Sequence, residues 1–381
     1  MTETGAPTRL PPLHPSDLQG ISRLAIDGVV GVTDLVEHLH AAIALPGTSS
    51  QRTRGITGQV YRSVRGITRL VGGGIDLALS PLARARPSDA VTGIAIRSAL
   101  NGVLGDHLHA TGNPLAIDMS LQHADGIVAR TGPPIPAGQA RPHVVVFLHG
   151  LCLHPGLWTP DDDGPGLPER IGDLPGRSVL HLHYNTGRPV ADNGAELATR
   201  LADLHARWPV ALERLTLIGH SMGGLVARSA AHHGHASQQA WTDYLADIVT
   251  LGTPHAGAPL ERAGHRLERA LGWTPYTRPF NRLGRMRSAG ITDLRHGRIT
   301  ACGGAPGLPE TTRLHLLAAS RSPEGHRTPS GDGLVPPHSG LAIGLPLDPT
   351  RLHRRLIHDC GHLALMHHNA VADHLLTALD R

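Results

Sequence analysis

Residues 215–224 read LTLIGHSMGG, an apolar run that breaks at Gly-His-Ser-Met-Gly and passes into a helical pattern over residues 222–231. Strand, abrupt turn and helix in that order form the G-x-S-x-G elbow, which holds a serine hydroxyl on a strained turn at the edge of a sheet. Gly219 and Gly223 flank Ser221 where a β-carbon would meet neighbouring backbone, and Gly224 lets the helix close on the strand. In a chain with 46 glycines the bare pattern says little. Its setting between strand and helix says more, and so do the partners downstream.

A serine alcohol is a poor nucleophile near neutral pH. It needs an imidazole base, which needs a carboxylate to orient it. Residues 313–320 read as a strand followed by a polar loop containing SGDGLVP, where Asp332 lies between two glycines. That loop follows the carboxyl end of its strand, where α/β sheets present catalytic groups. A plain turn aspartate in an Asp-Gly pair is the competing reading. Seven histidines follow: His338, His353, His358, His362, His367, His368 and His374. His362 is preferred, because Gly361 precedes it and an apolar helical pattern begins directly after it. His358, beside Asp359, is the alternative; His367 and His368 are expected on the helix.

A tetrahedral intermediate also needs two backbone N–H donors. Met222, directly after the serine, is one candidate. The other is Leu151, in the loop His149-Gly150-Leu151 that ends the apolar run HVVVFL at 143–148.

The fold class follows from the same segments. Residues 143–148, 177–183, 215–220, 246–251 and 313–320 read as strands, with a helix over 192–208 capped at Asp192 or Asn193. Strands alternating with helices predict a doubly wound, mostly parallel α/β sheet. Ahead of it, Leu115, Ile117, Met119 and Leu121 alternate before a turn at 124–126, a hairpin signal; GPPIPAGQARP at 132–142 is a connector. The first 112 residues predict three amphipathic helices. The first starts at the capping box Ser16–Gln19 and ends at Pro46-Gly47. The second carries Ile56, Val60, Val64, Ile67 and Val71; the third runs from Ser88 toward Leu108. Their stripes lack aromatic anchors and a lysine-rich polar face, which favours packing on the body or on each other over a dimer contact or a membrane surface.

With 381 residues the chain can bury a large core, as one big domain with an appendage. All 35 cationic residues are arginine, and they are scattered at a net charge of +4, which gives nucleic-acid binding no support. Three cysteines without short pairing imply no disulfide framework. No signal-peptide pattern and no bilayer-length apolar run are read, so a cytoplasmic protein is expected. The 28 histidines invite a metal-binding reading, but there is no Cys pairing of zinc type and no H-E-x-x-H. No cofactor and no metal are expected.

FLHGL (147–151), GHSMGG (219–224), LGTPHAGAP (251–259), GDGLVP (331–336) and GHLAL (361–365) together resemble an α/β hydrolase of the lipase/esterase kind. They are similar to bacterial lipases and to GPI inositol-deacylase-like proteins, from about residue 141 onward. The resemblance implies a catalytic domain over 113–381, an N-terminal helical extension over 1–112 and a cap or lid over 258–300. It implies hydrolysis of carboxylic esters, of apolar or lipid-like acyl groups, by Ser221, Asp332 and His362. Leu151 and Met222 would line the oxyanion hole, with His149, Gly150, Gly219, His220 and Gly223 in support. Thr253 and His255 would brace the site from outside the triad. Acyl transfer by the same machinery, a non-catalytic scaffold and a metal-binding protein are the alternatives. A small-molecule or lipid ester is the expected partner; peripheral membrane contact and oligomeric state stay open.

Overall fold

In the computed structural model, the residues described are 15–44, 59, 62–70, 73, 91–123, 126–128, 134–160, 164–258, 288–301, 307–327 and 329–379. The expected helix end at Pro46-Gly47, positions 56, 60, 71 and 88, and most of the expected lid (259–287) lie outside them.

The five runs expected as parallel strands form, while of the alternating run 115–121 only Ser120 and Leu121 enter a strand. β1 (Ser120–His123) and β2 (Gly126–Ile127) form the hairpin, followed by β3 (His143–Leu148), β4 (Arg177–His183), β5 (Arg214–His220), β6 (Leu245–Leu251), β7 (Arg313–Ala319) and β8 (Leu352–Ile357). They make one eight-stranded sheet in the order β2-β1-β4-β3-β5-β6-β7-β8. From β4 to β8 every pairing is parallel, with β1 antiparallel to β4 at one side. β3 and β5 are buried almost end to end, as a central parallel strand covered on both faces must be. β4 alternates between half-exposed and buried residues, because it sits near the hairpin edge.

Helices α1 (Pro15–Ala44), α2 (62–70) and α3 (Val91–Ala110) precede the sheet. The others are α4 (Leu167–Gly172), α5 (Val190–Arg207), α6 (Met222–Ala236), α7 (Ala289–His296), α8 (Pro337–Gly340) and α9 (Asn369–Leu379). Ile171 of α4 and Val371 and Leu375 of α9 join Val145, Phe147, Ile218 and Val249 in one core. Each such side chain contributes about 1.5–3 kcal/mol when fully buried. α5 packs on α6, with Leu197, Leu201, Val226 and Ala230 buried.

Two helix starts differ from expectation. α5 begins at Val190, two residues before Asp192, because the Val190 amide finds its acceptor elsewhere, on Asp293 Oδ2 of α7 at 2.9 Å. Asn193 is buried within the helix and donates to the Asn185 carbonyl at 3.0 Å. After His362 comes a single 3₁₀ turn, Leu363–Met366, and α9 begins only at Asn369. His367 and His368 therefore lie between the two, and His368 Nδ1 accepts the Ala370 amide at 3.1 Å.

The chain divides into two compact units, Met1–Ile94 with Leu108–Ala116, and Ala95–His107 with Ile117–Arg381. In the first, Asn113 donates to the Gly20 carbonyl at 3.1 Å, and Arg65 of α2 pairs with Asp34 (2.9 Å) and Glu37 of α1. In the second, residues 95–107 brace the loops beyond β3 and β4. Asn185 donates to the Gly105 carbonyl at 2.8 Å, and Ser288 Oγ to that of Gly102 at 2.7 Å. No helix among the described residues is long and apolar enough to cross a membrane.

Candidate active site

Four loops leave the carboxyl ends of β3, β5, β7 and β8, and each carries a residue singled out in the sequence. Ser221, between β5 and α6, has φ 54 and ψ −121, which a non-glycine residue adopts only under constraint. The constraint is visible. The Ser221 amide donates to the Leu251 carbonyl at 2.8 Å, and Thr253 Oγ1 donates to the Ser221 carbonyl at 2.8 Å. Gly223 is required by close approach, since a β-carbon there would lie 2.3 Å from the Leu148 carbonyl oxygen. Ser221 is 7% exposed.

Asp332 and His362 meet. His362 Nδ1 lies 2.7 Å from Asp332 Oδ2, and both side chains are buried. The other carboxylate oxygen accepts the amides of Leu334 (2.8 Å) and Val335 (2.7 Å). Burial alone would raise the Asp332 pKa. The His362 charge and hydrogen bond, with the two amides, outweigh that and hold it below the usual carboxylate range. With Nδ1–H donated to Asp332, His362 keeps Nε2 as its acceptor. Among the described residues no hydrogen bond joins Ser221 Oγ to His362, a contact that ligand-free sites often close only with substrate. His358 is not part of this pair; its Nδ1 lies 3.3 Å from the Ser322 carbonyl oxygen.

The two expected oxyanion donors are free. Neither the Leu151 nor the Met222 amide has an acceptor among the described residues. Met222 is the first residue of α6, where amides have no intrahelical partner and the dipole favours negative charge. The loop bearing Leu151 adjoins the serine, because a β-carbon at Gly150 would stand 3.0 Å from Ser221 Cβ. Tyr184 fixes this loop by donating its hydroxyl to the His149 carbonyl at 2.8 Å and stacking on the His149 ring at 4.6 Å. Burial holds the His149 imidazole neutral.

His220 links the loops of Ser221 and His362. Its Nε2–H donates to the His362 carbonyl at 2.9 Å, and the two rings lie 4.7 Å apart. Burial first, then the His362 charge, push its pKa down to about 3, so it stays a neutral donor. Thr253 and His255 stand behind the elbow. Arg228 NH1 donates to His255 Nδ1 at 2.9 Å, and His255 Nε2 in turn faces Thr250 Oγ1 at 3.1 Å. Burial pushes the Arg228 guanidinium down to about 10 and keeps His255 neutral.

Two contributors had no role assigned from sequence, Arg321 and Gly252, the latter inside the LGTPHAGAP stretch. Arg321 Nε donates to the Asp332 carbonyl at 2.9 Å and so steadies the loop. Gly252, at φ +60, lies under the Asp–His pair, where a β-carbon would be 3.1 Å from both Asp332 Oδ2 and His362 Nδ1. Neither described cysteine is a rival nucleophile. Burial pushes the Cys152 thiol up to about 12, and burial with the Asp332 charge takes Cys360 to about 11. A cavity of about 890 Å³ is flanked by Leu363, Ala364 and Met366, directly after His362, and by Leu157, Pro160 and Leu167.

A mostly parallel eight-stranded sheet with flanking helices, with Ser221 after β5, a carboxylate loop after β7 and an imidazole loop after β8, has the α/β-hydrolase fold. Residues 197–295 match the family model described as PGAP1-like alpha/beta domain. Among solved structures the chain is similar to the mature Bacillus licheniformis lipase BlEst2, at 18% identity over 69% of this chain and 98% of that one, with a TM-score of 0.46. It is also similar to a thermophilic esterase from Thermogutta terrifontis (16% identity, 69% and 93% covered, TM-score 0.37). A third is the RedJ thioesterase of Streptomyces coelicolor (17% identity, 66% and 93% covered, TM-score 0.39). A search of curated proteins gives no match.

Proposed function

We propose that this chain hydrolyses carboxylic esters with an apolar or lipid-like acyl group, through Ser221, His362 and Asp332 and a covalent acyl-enzyme. One observation carries the reading: the buried Asp332–His362 pair at 2.7 Å, in the same loop cluster as a serine strained onto an elbow. His362 Nε2 takes the Ser221 proton as Oγ attacks the ester carbonyl. Asp332 holds the tautomer and stabilises the imidazolium. The amides of Leu151 and Met222 receive the negative charge on the carbonyl oxygen. The intermediate collapses as His362 returns the proton to the leaving alcohol. Water, activated by the same imidazole, then releases the acid and restores Ser221.

The cavity beside the 363–366 turn, lined by Leu157, Leu167, Leu363 and Met366 together with Arg170, His367 and Asn369, offers room for an acyl chain. The test combines a fluorophosphonate label with p-nitrophenyl esters of graded chain length. Wild type takes one label and prefers longer acyl groups; Ser221→Ala loses both label and turnover. Label or turnover surviving in Ser221→Ala removes that hydroxyl from the mechanism.

A further inference from the structure

Leu151, one of the two proposed oxyanion donors, sits in a turn that its own sequence does not favour. The Leu153 amide donates to the Gly150 carbonyl at 3.2 Å, which closes four residues with Leu151 and Cys152 at the centre. Cys152 has φ 62, while Leu151 keeps a negative φ. A left-handed backbone at the third residue of a turn favours glycine, because a β-carbon is strained there. Rotating the Leu151–Cys152 peptide would give the commoner turn, in which both central residues have negative φ, and relieve that strain. Something outside the turn has to oppose it.

Thr186 does so. Its hydroxyl oxygen, in the loop after β4, accepts the Cys152 amide at 3.1 Å, and Thr186 is buried. The rotation would leave that amide an unsatisfied donor inside the protein. Cys152 is also boxed in by α3, since a β-carbon on Gly102 would collide with its Sγ. Thr186 is held in turn by its neighbour. Asn185 Oδ1 accepts the Gly187 amide at 3.0 Å, and Asn185 Nδ2 donates to the Gly105 carbonyl of α3 at 2.8 Å. On the other side of Leu151, the Gly150 carbonyl also accepts from His149 Nδ1 at 3.0 Å. A trans peptide is a rigid plane. The two planes that meet at the Leu151 α-carbon are therefore pinned separately, one by His149 and Leu153 and the other by Thr186.

We infer that Thr186 is a positioning residue for the oxyanion hole: by accepting the Cys152 amide it keeps the 150–153 turn in the form that presents the Leu151 N–H to the substrate carbonyl oxygen. This rests on the ester-hydrolase reading above.

Thr186→Val keeps the shape of the side chain and removes the acceptor, and Thr186→Ser keeps the acceptor. The assay is p-nitrophenyl ester hydrolysis, with kcat counted per site labelled to completion by a fluorophosphonate. Thr186→Val should lose about a hundredfold in kcat, with KM within about threefold of wild type, as expected when an interaction made in the transition state is lost. A trifluoromethyl ketone, whose adduct with Ser221 places an oxyanion in the same hole, should bind more weakly in the same proportion. Thr186→Ser should recover most of both losses. If Thr186→Val does not fold, Thr186→Cys carries the same comparison, since a thiol is only a weak acceptor. A merely structural role would lower the fraction of protein labelled and leave kcat per labelled site and ketone affinity at wild-type values. That result overturns the inference, as does a loss confined to KM. If wild type takes no label and turns over no ester, or Ser221→Ala keeps both, the hydrolase reading falls and this inference falls with it.

Discussion

Asp332→Asn separates orientation from architecture at the proposed site. In the native pair Oδ2 accepts the His362 Nδ1 proton, while Oδ1 accepts the Leu334 and Val335 amides. An asparagine that keeps the two backbone bonds must turn its NH₂ toward His362. Nδ1 then becomes the acceptor, and the single imidazole proton moves to Nε2, facing Ser221. The base is lost although the fold stays. A tautomer error of this kind costs about ten-thousandfold in kcat, or about 5.5 kcal/mol at 1.36 kcal/mol per decade. Folding stability should fall by only about 1–2 kcal/mol, since a charge-assisted hydrogen bond becomes a neutral one. Asp332→Ala should cost more stability, because it strands two amides at about 1–3 kcal/mol each. The assay is steady-state hydrolysis of a p-nitrophenyl ester near neutral pH, with urea unfolding of the same preparations. A fully folded Asp332→Asn protein within tenfold of wild-type kcat would refute the orienting role.

The other predictions are simpler. His362→Ala should abolish turnover while His358→Ala stays within a few-fold of wild type; the reverse pattern in the same ester assay would move the base to His358. Asp247 is buried at the amino ends of β6 and β7, where it accepts from Arg214 (2.6 Å), Arg313 (2.8 Å) and His315 (3.1 Å). Burial would raise its pKa, but these partners hold it well below the usual range. Asp247→Asn should therefore cost about 3 kcal/mol, at the low end for a broken buried pair because both arginines are partly solvated. The depressed carboxylate contributes fully above its unfolded pKa of about 3.9 and loses that contribution as pH falls through the folded value. The urea midpoints of the two proteins should thus converge in acid. Finally, a chain starting at residue 113 lacks the braces that Gly102 and Gly105 give to Ser288 and Asn185, and it should be insoluble or inactive on expression.

Legibility tracked how locally each feature is encoded. β3, β5 and β6 are continuous apolar runs because they are buried on both faces, so composition alone reveals them. β8, Leu-His-Arg-Arg-Leu-Ile, carries no such signal: as the edge strand it keeps His353, Arg354 and Arg355 exposed. The elbow is legible because strand, turn and glycines are contiguous. Among the seven histidines, Gly361 and the apolar pattern after it favoured His362, but the contact with Asp332 spans 30 residues and is not written in local sequence. The roles of Gly252, inside LGTPHAGAP, and of Arg321 were not legible for the same reason. Each matters only through where other strands deliver Asp332.

The bond from His220 to the His362 carbonyl has a mechanical consequence. His220 immediately precedes Ser221, so the loops of the proposed nucleophile and base are fastened to each other and not only to the sheet between them. Breathing of the outer β8 edge would carry the imidazole along with the hydroxyl instead of pulling them apart. The reacting atoms can then keep their alignment while the rim of the molecule fluctuates, which leaves that rim free to yield as bulky molecules enter and leave.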